Sequence, residues 1–397
     1  MIIVSEALES ILKNTIPTNK VIRKPLIETI GFILAENIVA DRDYPPFPRA
    51  TMDGYAVIEK DLIDNKEFTV IGEIFAGDTW DYPDEIPPNS CIKIMTGASV
   101  PNIFDTIIKV EDTKSQNKIV QIETENFFKG MNIAKQGEDS RQGSILVSTG
   151  LVIDTSIVTI AASTGYTDLS IYSPPIISIL STGNEVLPEG IFPLPHQIRD
   201  SNSFTLRAML QKFRINPLRV WNLPDDPEVL RTKFIECFDS DICIITGGVS
   251  AGDADYIPAT LKNLGVEEIF HKVQIRPGKP IWFGKKDNTL FFGLPGNPVS
   301  ARVTFKIFVE PCIRKFLNLS KPKSFFLPLL IARKKKHNLE EYFRVKIVNQ
   351  DNQSYLQEIP NNGSGDFIGS LGSDGLAIQN ANNKELPEKT FVEFLEW

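Results

Sequence analysis

Ile176-Ile177-Ser178-Ile179-Leu180 runs straight into Ser181-Thr182-Gly183-Asn184-Glu185. A short apolar run ending in hydroxyls, a glycine and a carboxylate describes a strand buried on both faces, with polar chemistry just past its carboxyl end. The same rhythm continues outward. SFTLRAMLQKF (203–213) reads as an amphipathic helix and PLRVWNL (217–223) as a strand. DDPEVLRTKFIECF (225–238) is a helix with an Asp cap and Pro227 in its first turn. DICIITGG (241–248), EEIFHKVQI (267–275) and LFFGL (290–294) are further strands, the last leading into a helix after GNPVS. Apolar strands alternating with helices predict a doubly wound parallel α/β domain, and such sheets bind ligands beyond the carboxyl ends of their strands.

On either side the pattern changes. Helical periodicity marks the N-terminus (Ala7, Leu8, Ile11, Leu12), and Leu26 to Ala40 reads as helical and then extended. FTVIGEIFAG, SCIKIMTG, DTIIKVED and KIVQIET, between 68 and 124, form a small β-rich module. Thr155 to Gly165 reads as a helix stopped by glycine. After Pro322, FFLPLLIAR, EYFRVKIVN and TFVEFLEW suggest a separate β-domain, and Arg333 to His337 (RKKKH) reads as a solvated strand end. The predicted division is 1–42 with 132–175 as a linking domain, 43–131 as the β-rich insert, 176–320 as the α/β domain and 321–397 as the C-terminal β-domain. A chain of 397 residues, 42% apolar and 23% charged, has room for several such cores.

Composition narrows the function classes. Lys+Arg 42 against Asp+Glu 50 gives a net charge of −8, which argues against a nonspecific nucleic-acid binder or one for acidic membranes and leaves room for a local basic pocket. The apolar runs are too short to span a bilayer and the first residues do not read as a secretory signal, so the expected location is cytoplasmic. Four scattered cysteines and three distant histidines form no zinc or disulfide pattern, and two of the cysteines, set in apolar runs, read as small core residues.

Three strand ends carry the chemistry. Past Leu180 stand Ser181 to Glu185. Past Ile245 stand Thr246-Gly247-Gly248-Val249-Ser250-Ala251-Gly252-Asp253-Ala254-Asp255, and past Phe292 come Leu294-Pro295-Gly296-Asn297-Pro298-Val299-Ser300. Glycines let successive N–H groups converge on an oxyanion, and a helix start favours negative charge. Arg276-Pro277-Gly278-Lys279-Pro280 adds two cations on a stiffened loop. Together they suggest a bound phosphate or other oxyanion, with carboxylates for Mg²⁺ or for proton transfer. Each glycine loop alone reads first as a tight turn, Asp225 with Asp226 reads first as a helix cap, and Asp53 in Thr51-Met52-Asp53-Gly54 equally suits a plain turn. No GxGxxG or GxxxxGK[ST] occurs, so neither a Rossmann dinucleotide site nor a P-loop is supported.

TMDGYAV (51–57), IMTGA (94–98), GED (137–139), STGNE, TGGVSAGDADY, RPGKP and LPGNPVSA occur in the order found in the molybdopterin molybdenumtransferases. The chain resembles this MoeA family, to which the C-terminal domain of gephyrin is similar, from about residue 5 onward. The resemblance implies an elongated L-shaped subunit in a homodimer with shared active sites. It implies insertion of molybdenum from molybdate into adenylylated molybdopterin, with Mg²⁺-dependent hydrolysis of the adenylate to AMP. It carries catalytic roles onto Asp53, Asp139, Glu185, Asp226 and Asp255, with Glu185 and Asp255 for Mg²⁺. Substrate binding falls to Thr96, Gly247, Gly248, Ser250, Lys272, Arg276, Lys279, Pro295, Gly296, Asn297 and Pro298. Molybdate falls to Arg276, Lys279, Ser300, Arg344 and Ser364. The molybdopterin adenylyltransferase and other cofactor-biosynthesis proteins are the implied partners. Arg276 stands where lysine is common, and Ala134 and Lys135 replace two family arginines. An adenylyltransferase, which the α/β segment alone would support, and a gephyrin-like scaffold are the alternative readings.

Overall fold

The computed structural model describes residues 1–80, 85–249, 256–320, 325–360 and 362–397. Among them, three six-stranded sheets organise the chain. The central one is ordered Arg219–Leu223, Ile177–Thr182, Ile242–Thr246, Thr289–Leu294, Trp282–Lys286 and Glu267–His271. Its first four strands are parallel, as their continuous apolar runs predict. Ile177, Ile179, Ile242, Ile244 and Phe292 face one core, and Leu180, Cys243, Ile245 and Phe291 the other. The last two strands are antiparallel additions. Trp282–Lys286, which the sequence reading left out, turns back through Asp287, at φ 51°, onto Thr289–Leu294.

The strand order creates a switch point. From Ile177–Thr182 the chain crosses through the helix Asn202–Gln211 to Arg219–Leu223 on one side. It then returns through the helix Pro227–Glu236 to Ile242–Thr246 on the other. Successive crossovers leave in opposite directions, so a crevice opens between the carboxyl ends of Ile177–Thr182 and Ile242–Thr246.

The N-terminal sheet runs Thr106–Lys109, Gly54–Val57, Ser90–Ile94, Glu67–Ile74, Ile119–Ile122, Thr113–Gln116. Two-stranded ladders join Val21–Pro25 to Asp168–Tyr172 and Ile38–Val39 to Ile145–Val147. The helix Thr155–Ser163 is capped by Asp154, which accepts from the Ile157 N–H. The helix Val4–Asn14 buries Ala7 and Ile11 with Cys312 and Ile313 of the α/β region. Leu26 to Ala40 departs from the expected helix, since only the 3₁₀ turn Leu26–Thr29 forms before Gly31.

The C-terminal sheet runs Ile275–Arg276, Glu340–Gln350, Gly375–Gln379, Phe391–Glu396, Phe325–Pro328, with Gln353–Glu358 as a sixth strand paired to Glu340–Gln350. Its first strand belongs to the RPGKP segment, so that loop starts at the seam with the α/β region. Here the RKKKH reading holds for the exposed Lys334 and Lys336 and fails for Arg333 and Lys335. Lys335 is buried and its ammonium donates to the carbonyls of Leu339 (2.7 Å), Gln379 (3.2 Å) and Asn380 (2.6 Å). Arg333 pairs with Glu341 (3.1 Å) and Glu358 (3.0 Å). All four cysteines are buried, and burial pushes the Cys91 and Cys312 thiols up to about 12, which suits core residues.

Candidate functional site

A cavity of about 440 Å³ lies at the switch point. Its walls include Glu185, Gly247, Gly248, Pro295, Gly296, Asn297 and Pro298. Gly247 has φ +90°, and a Cβ there would stand 2.6 Å from the Thr182 carbonyl oxygen, so only glycine lets the loop pass this close to the strand end. The Glu185 carboxylate folds back over Gly183, both oxygens 2.9 Å from where a Cβ on that glycine would stand. Its main chain is held by the Ile198 N–H, which donates to the Glu185 carbonyl at 2.8 Å.

The floor of this cavity is unsatisfied. The Thr182 and Thr246 hydroxyls and the Asn202 Oδ1 are buried without a hydrogen-bond partner among the described residues. Asn202 is aimed by its other end, since Nδ2 donates to the Gly296 carbonyl at 2.7 Å. Buried polar atoms are normally paired, so three orphans lining one cavity describe a site waiting for a polar occupant. Asn202 was missed in the sequence because Asp200-Ser201-Asn202 looks like ordinary helix capping. Asp200 does cap, accepting from the Ser203 N–H at 3.0 Å and hydroxyl at 2.6 Å.

A second cavity, about 420 Å³, shares Pro280, Pro295 and Asn297 with the first. It brings together Arg276, Lys279, Ser300, Arg344 and Ser364, from two different sheets and their loops. Asn297 Nδ2 donates to the Ser364 hydroxyl at 2.9 Å, and the Val299 N–H to the Ser364 carbonyl at 3.2 Å, pinning the two halves together. Arg344 is 3% exposed and donates to the Asp366 carbonyl (2.7 Å) and the Ser370 hydroxyl (2.8 Å). Burial draws its pKa down. The carboxylate in this cavity, Glu341, is engaged by Arg333 at 3.1 Å and by His337 at 3.2 Å, with Arg276 at 3.8 Å.

The remaining candidates lie apart. Asp53 accepts from the Thr96 N–H and hydroxyl, both at 2.7 Å, in the N-terminal sheet region. Those bonds, the backbone one foremost, hold its carboxyl below the usual range. The Asp139 N–H donates to the Tyr44 carbonyl in a loop beside Lys135, and Ala134 lies in a short ladder with Arg49. Asp226 caps a helix, accepting from the Glu228 (2.9 Å) and Val229 (3.0 Å) N–H groups, while its neighbour Asp225 lines the first cavity. Lys272 holds the main chain at φ 67° and lines neither cavity. Ser250 and Asp255 lie outside the described residues. Among the described residues no cluster of three His, Cys, Asp or Glu side chains is placed to hold a metal.

Comparison with known proteins matches the sheets in chain order. The family described as MoeA N-terminal region (domain I and II) matches residues 2–165, the probable molybdopterin binding domain matches 178–315, and MoeA C-terminal region (domain IV) matches 327–397. The molybdopterin molybdenumtransferase of Haemophilus influenzae is 36% identical over 291 residues, covering 73% of this chain and 71% of the relative. The chain belongs to the molybdopterin molybdenumtransferase family. The Synechococcus elongatus enzyme of the same name is 33% identical, covering 82% of each chain. The crystal structure of the molybdopterin biosynthesis MoeA protein from Pyrococcus horikosii superposes with a TM-score of 0.82 at 26% identity, covering 100% of this chain and 99% of that one. Within this molybdenumtransferase fold the first cavity falls inside the match to the molybdopterin binding domain. The second lies between that match and the MoeA C-terminal region.

Proposed function

We propose that this chain is a molybdopterin molybdenumtransferase, inserting molybdenum from molybdate into adenylylated molybdopterin with Mg²⁺-dependent hydrolysis of the adenylate, to give molybdenum cofactor and AMP. The observation that carries this reading is the pair of adjoining cavities, one lined by buried uncharged oxygens with Glu185, Asp225 and Arg199, the other gathering three cations. In the first, Glu185 takes the proton of a water whose oxygen bonds to a pyrophosphate phosphorus as the bridging P–O bond breaks and AMP leaves. In the second, Arg276, Lys279 and Arg344, with the Ser300 and Ser364 hydroxyls, hold the tetrahedral molybdate dianion beside the dithiolene sulfurs. The buried Thr182, Thr246 and Asn202 oxygens beside Glu185 are hard donors that suit Mg²⁺, which supplies charge neutralisation of the pyrophosphate. Asp255 would hold the ion with these oxygens, leaving the Glu185 carboxylate to act as the base.

The four-part division given above and a cytoplasmic homodimer belong to the same reading. Asp53, Thr96 and Asp139 line neither cavity, which supports their completing the site of a second subunit. The adenylyltransferase that makes the adenylylated substrate is the natural partner.

Single-turnover AMP release, with saturating molybdate and Mg²⁺, tests the assignment. Glu185→Gln keeps the shape and loses the charge, so release slows by roughly 100-fold while the adenylylated substrate still binds. Near-normal release with a lowered melting temperature would return Glu185 to a structural role.

A further inference from the structure

The far side of the helix that starts at Pro298 carries a third cavity, of about 400 Å³. It lies between the helix Asn202–Gln211, the helix Pro298–Thr304, the turn Ile368–Ser370 and Trp397. It shares only Ser201 and Pro298 with the switch-point cavity and only Val299 with the cationic one. None of the proposed catalytic groups opens into it.

Its distinctive group is Arg302. The guanidinium lies over the Trp397 indole, 3.6 Å from the ring centroid, and is half-buried. Among the described residues it has neither an ion pair nor a hydrogen-bond acceptor, and the charge that faces it is another cation, Arg344. Lys212, on the same wall, donates to the Trp397 main-chain oxygen. Met209, Val299 and Phe367 supply most of the apolar surface, with Phe367 60% exposed, and the hydroxyl residues Ser201, Thr205 and Ser370 stand among them. A guanidinium has five donors in a planar fork that matches a carboxylate, and a partly desolvated one gains most from such a partner. A tetrahedral dianion suits the neighbouring cavity with its three cations. One unspent guanidinium among apolar and aromatic walls suits a monoanion with a flat apolar body.

We propose that this cavity binds a planar aromatic carboxylate, its carboxylate on Arg302 and its ring against Phe367, Met209 and Val299. The loop that carries Phe367 also carries Ser364, so the occupant rests on the loop that walls the cationic cavity without entering it.

The test is calorimetric titration of the full-length protein with 2-naphthoate and with its neutral isostere 2-naphthamide, each with and without saturating molybdate. Naphthoate should bind at least about tenfold more tightly than naphthamide, and molybdate should leave its affinity unchanged. Arg302→Met keeps the aliphatic stem and loses the fork, so naphthoate affinity should fall about 10- to 100-fold, and Phe367→Ala should weaken it severalfold. No binding at millimolar naphthoate, equal affinity for the two probes, displacement by molybdate, or full affinity in both variants would each overturn the proposal. If Arg302→Met does not fold, the ratio between the two probes and the Phe367→Ala titration decide.

Discussion

Thr246→Val tests the orphaned floor of the switch-point cavity, because two readings of Thr246 predict opposite signs. Thr246 ends the strand Ile242–Thr246, is 1% exposed, and its hydroxyl has no partner among the described residues. Its main chain is held by parallel pairing with Ser181 and Leu294, which the substitution leaves in place. A buried, unpaired hydroxyl costs about 1–3 kcal/mol. Valine puts a methyl of nearly the same size in its place, so the empty protein should gain about 1 kcal/mol, raising the melting temperature by about 2 °C. The occupied protein would lose the polar contact that the hydroxyl offers to the Mg²⁺-bound substrate, about 0.5–1.5 kcal/mol, so affinity for adenylylated molybdopterin should fall about 3- to 10-fold. Scanning calorimetry of the free protein and equilibrium binding of the substrate read the two effects separately. A melting temperature several degrees lower with unchanged affinity would mean that the hydroxyl is a satisfied core group, and the reasoning would fail.

Mixing inactive Asp53→Asn and Asp255→Asn proteins under subunit exchange should restore part of the AMP release, since one composite site would then be intact; no recovery despite proven exchange refutes the shared site. Lys335→Met strips three carbonyls of their buried donor and should cost about 3 kcal/mol in urea unfolding, whereas a loss below about 0.5 kcal/mol would mark Lys335 as solvated. His337 has its pKa lowered chiefly by burial, so the unfolded chain takes up that proton more readily than the folded one. Its contribution is therefore full above the ordinary histidine pKa of about 6.5 and is lost as pH falls below it. His337→Asn should flatten the decline in stability between about pH 7 and pH 5, and an unchanged slope would rule this out.

The α/β region was legible because a parallel strand buried on both faces must be apolar at consecutive positions. IISIL, DICIITGG and LFFGL each announce such a strand, and Ser178, inside the first, is tolerated because its buried hydroxyl pairs with that of Ser240 at 2.8 Å. The strand Trp282–Lys286 was not legible. As the turned-back arm of an antiparallel pair, with Lys285 and Lys286 at its end, it has no apolar run of that kind. The fates of Arg333, Lys335 and Arg344 were hidden for a related reason. Which face of a β-strand turns inward depends on its partner's register, and RKKKH reads the same whether its alternate residues meet water or the Glu341 and Asn380 regions. Asn202 was hidden by chemistry shared between two jobs. An amide beside a helix start suits capping and ligand contact equally, and only its satisfied Nδ2 with an unsatisfied Oδ1 separates them.

Gathering Arg276, Lys279 and Arg344 in one cavity, apart from the one that Glu185 lines, explains how a chain of net charge −8 can handle a polyanion. Were Arg276, Lys279 or Arg344 set against Glu185, that carboxylate would be tied into an ion pair, stabilised as the anion and weakened as a base. Instead no cation among the described residues pairs with Glu185, since Arg199 on the same cavity wall donates to the Ile191 carbonyl at 2.9 Å, while the cationic cavity has its own acid, Glu341, drawn off by Arg333. Arg276, at 3.8 Å, takes only the remainder of that charge. Inward-facing Arg333 thus leaves positive potential on the cavity side of Glu341, where an oxyanion would lie. Asn297 stands on the boundary, and its amide is spent on Ser364, so it joins the two compartments without adding charge to either. The buried ion pairs of the C-terminal sheet therefore act on the site through Glu341. Removing Arg333 would free a carboxylate into the cationic cavity and weaken oxyanion binding there, although Arg333 itself does not line that cavity.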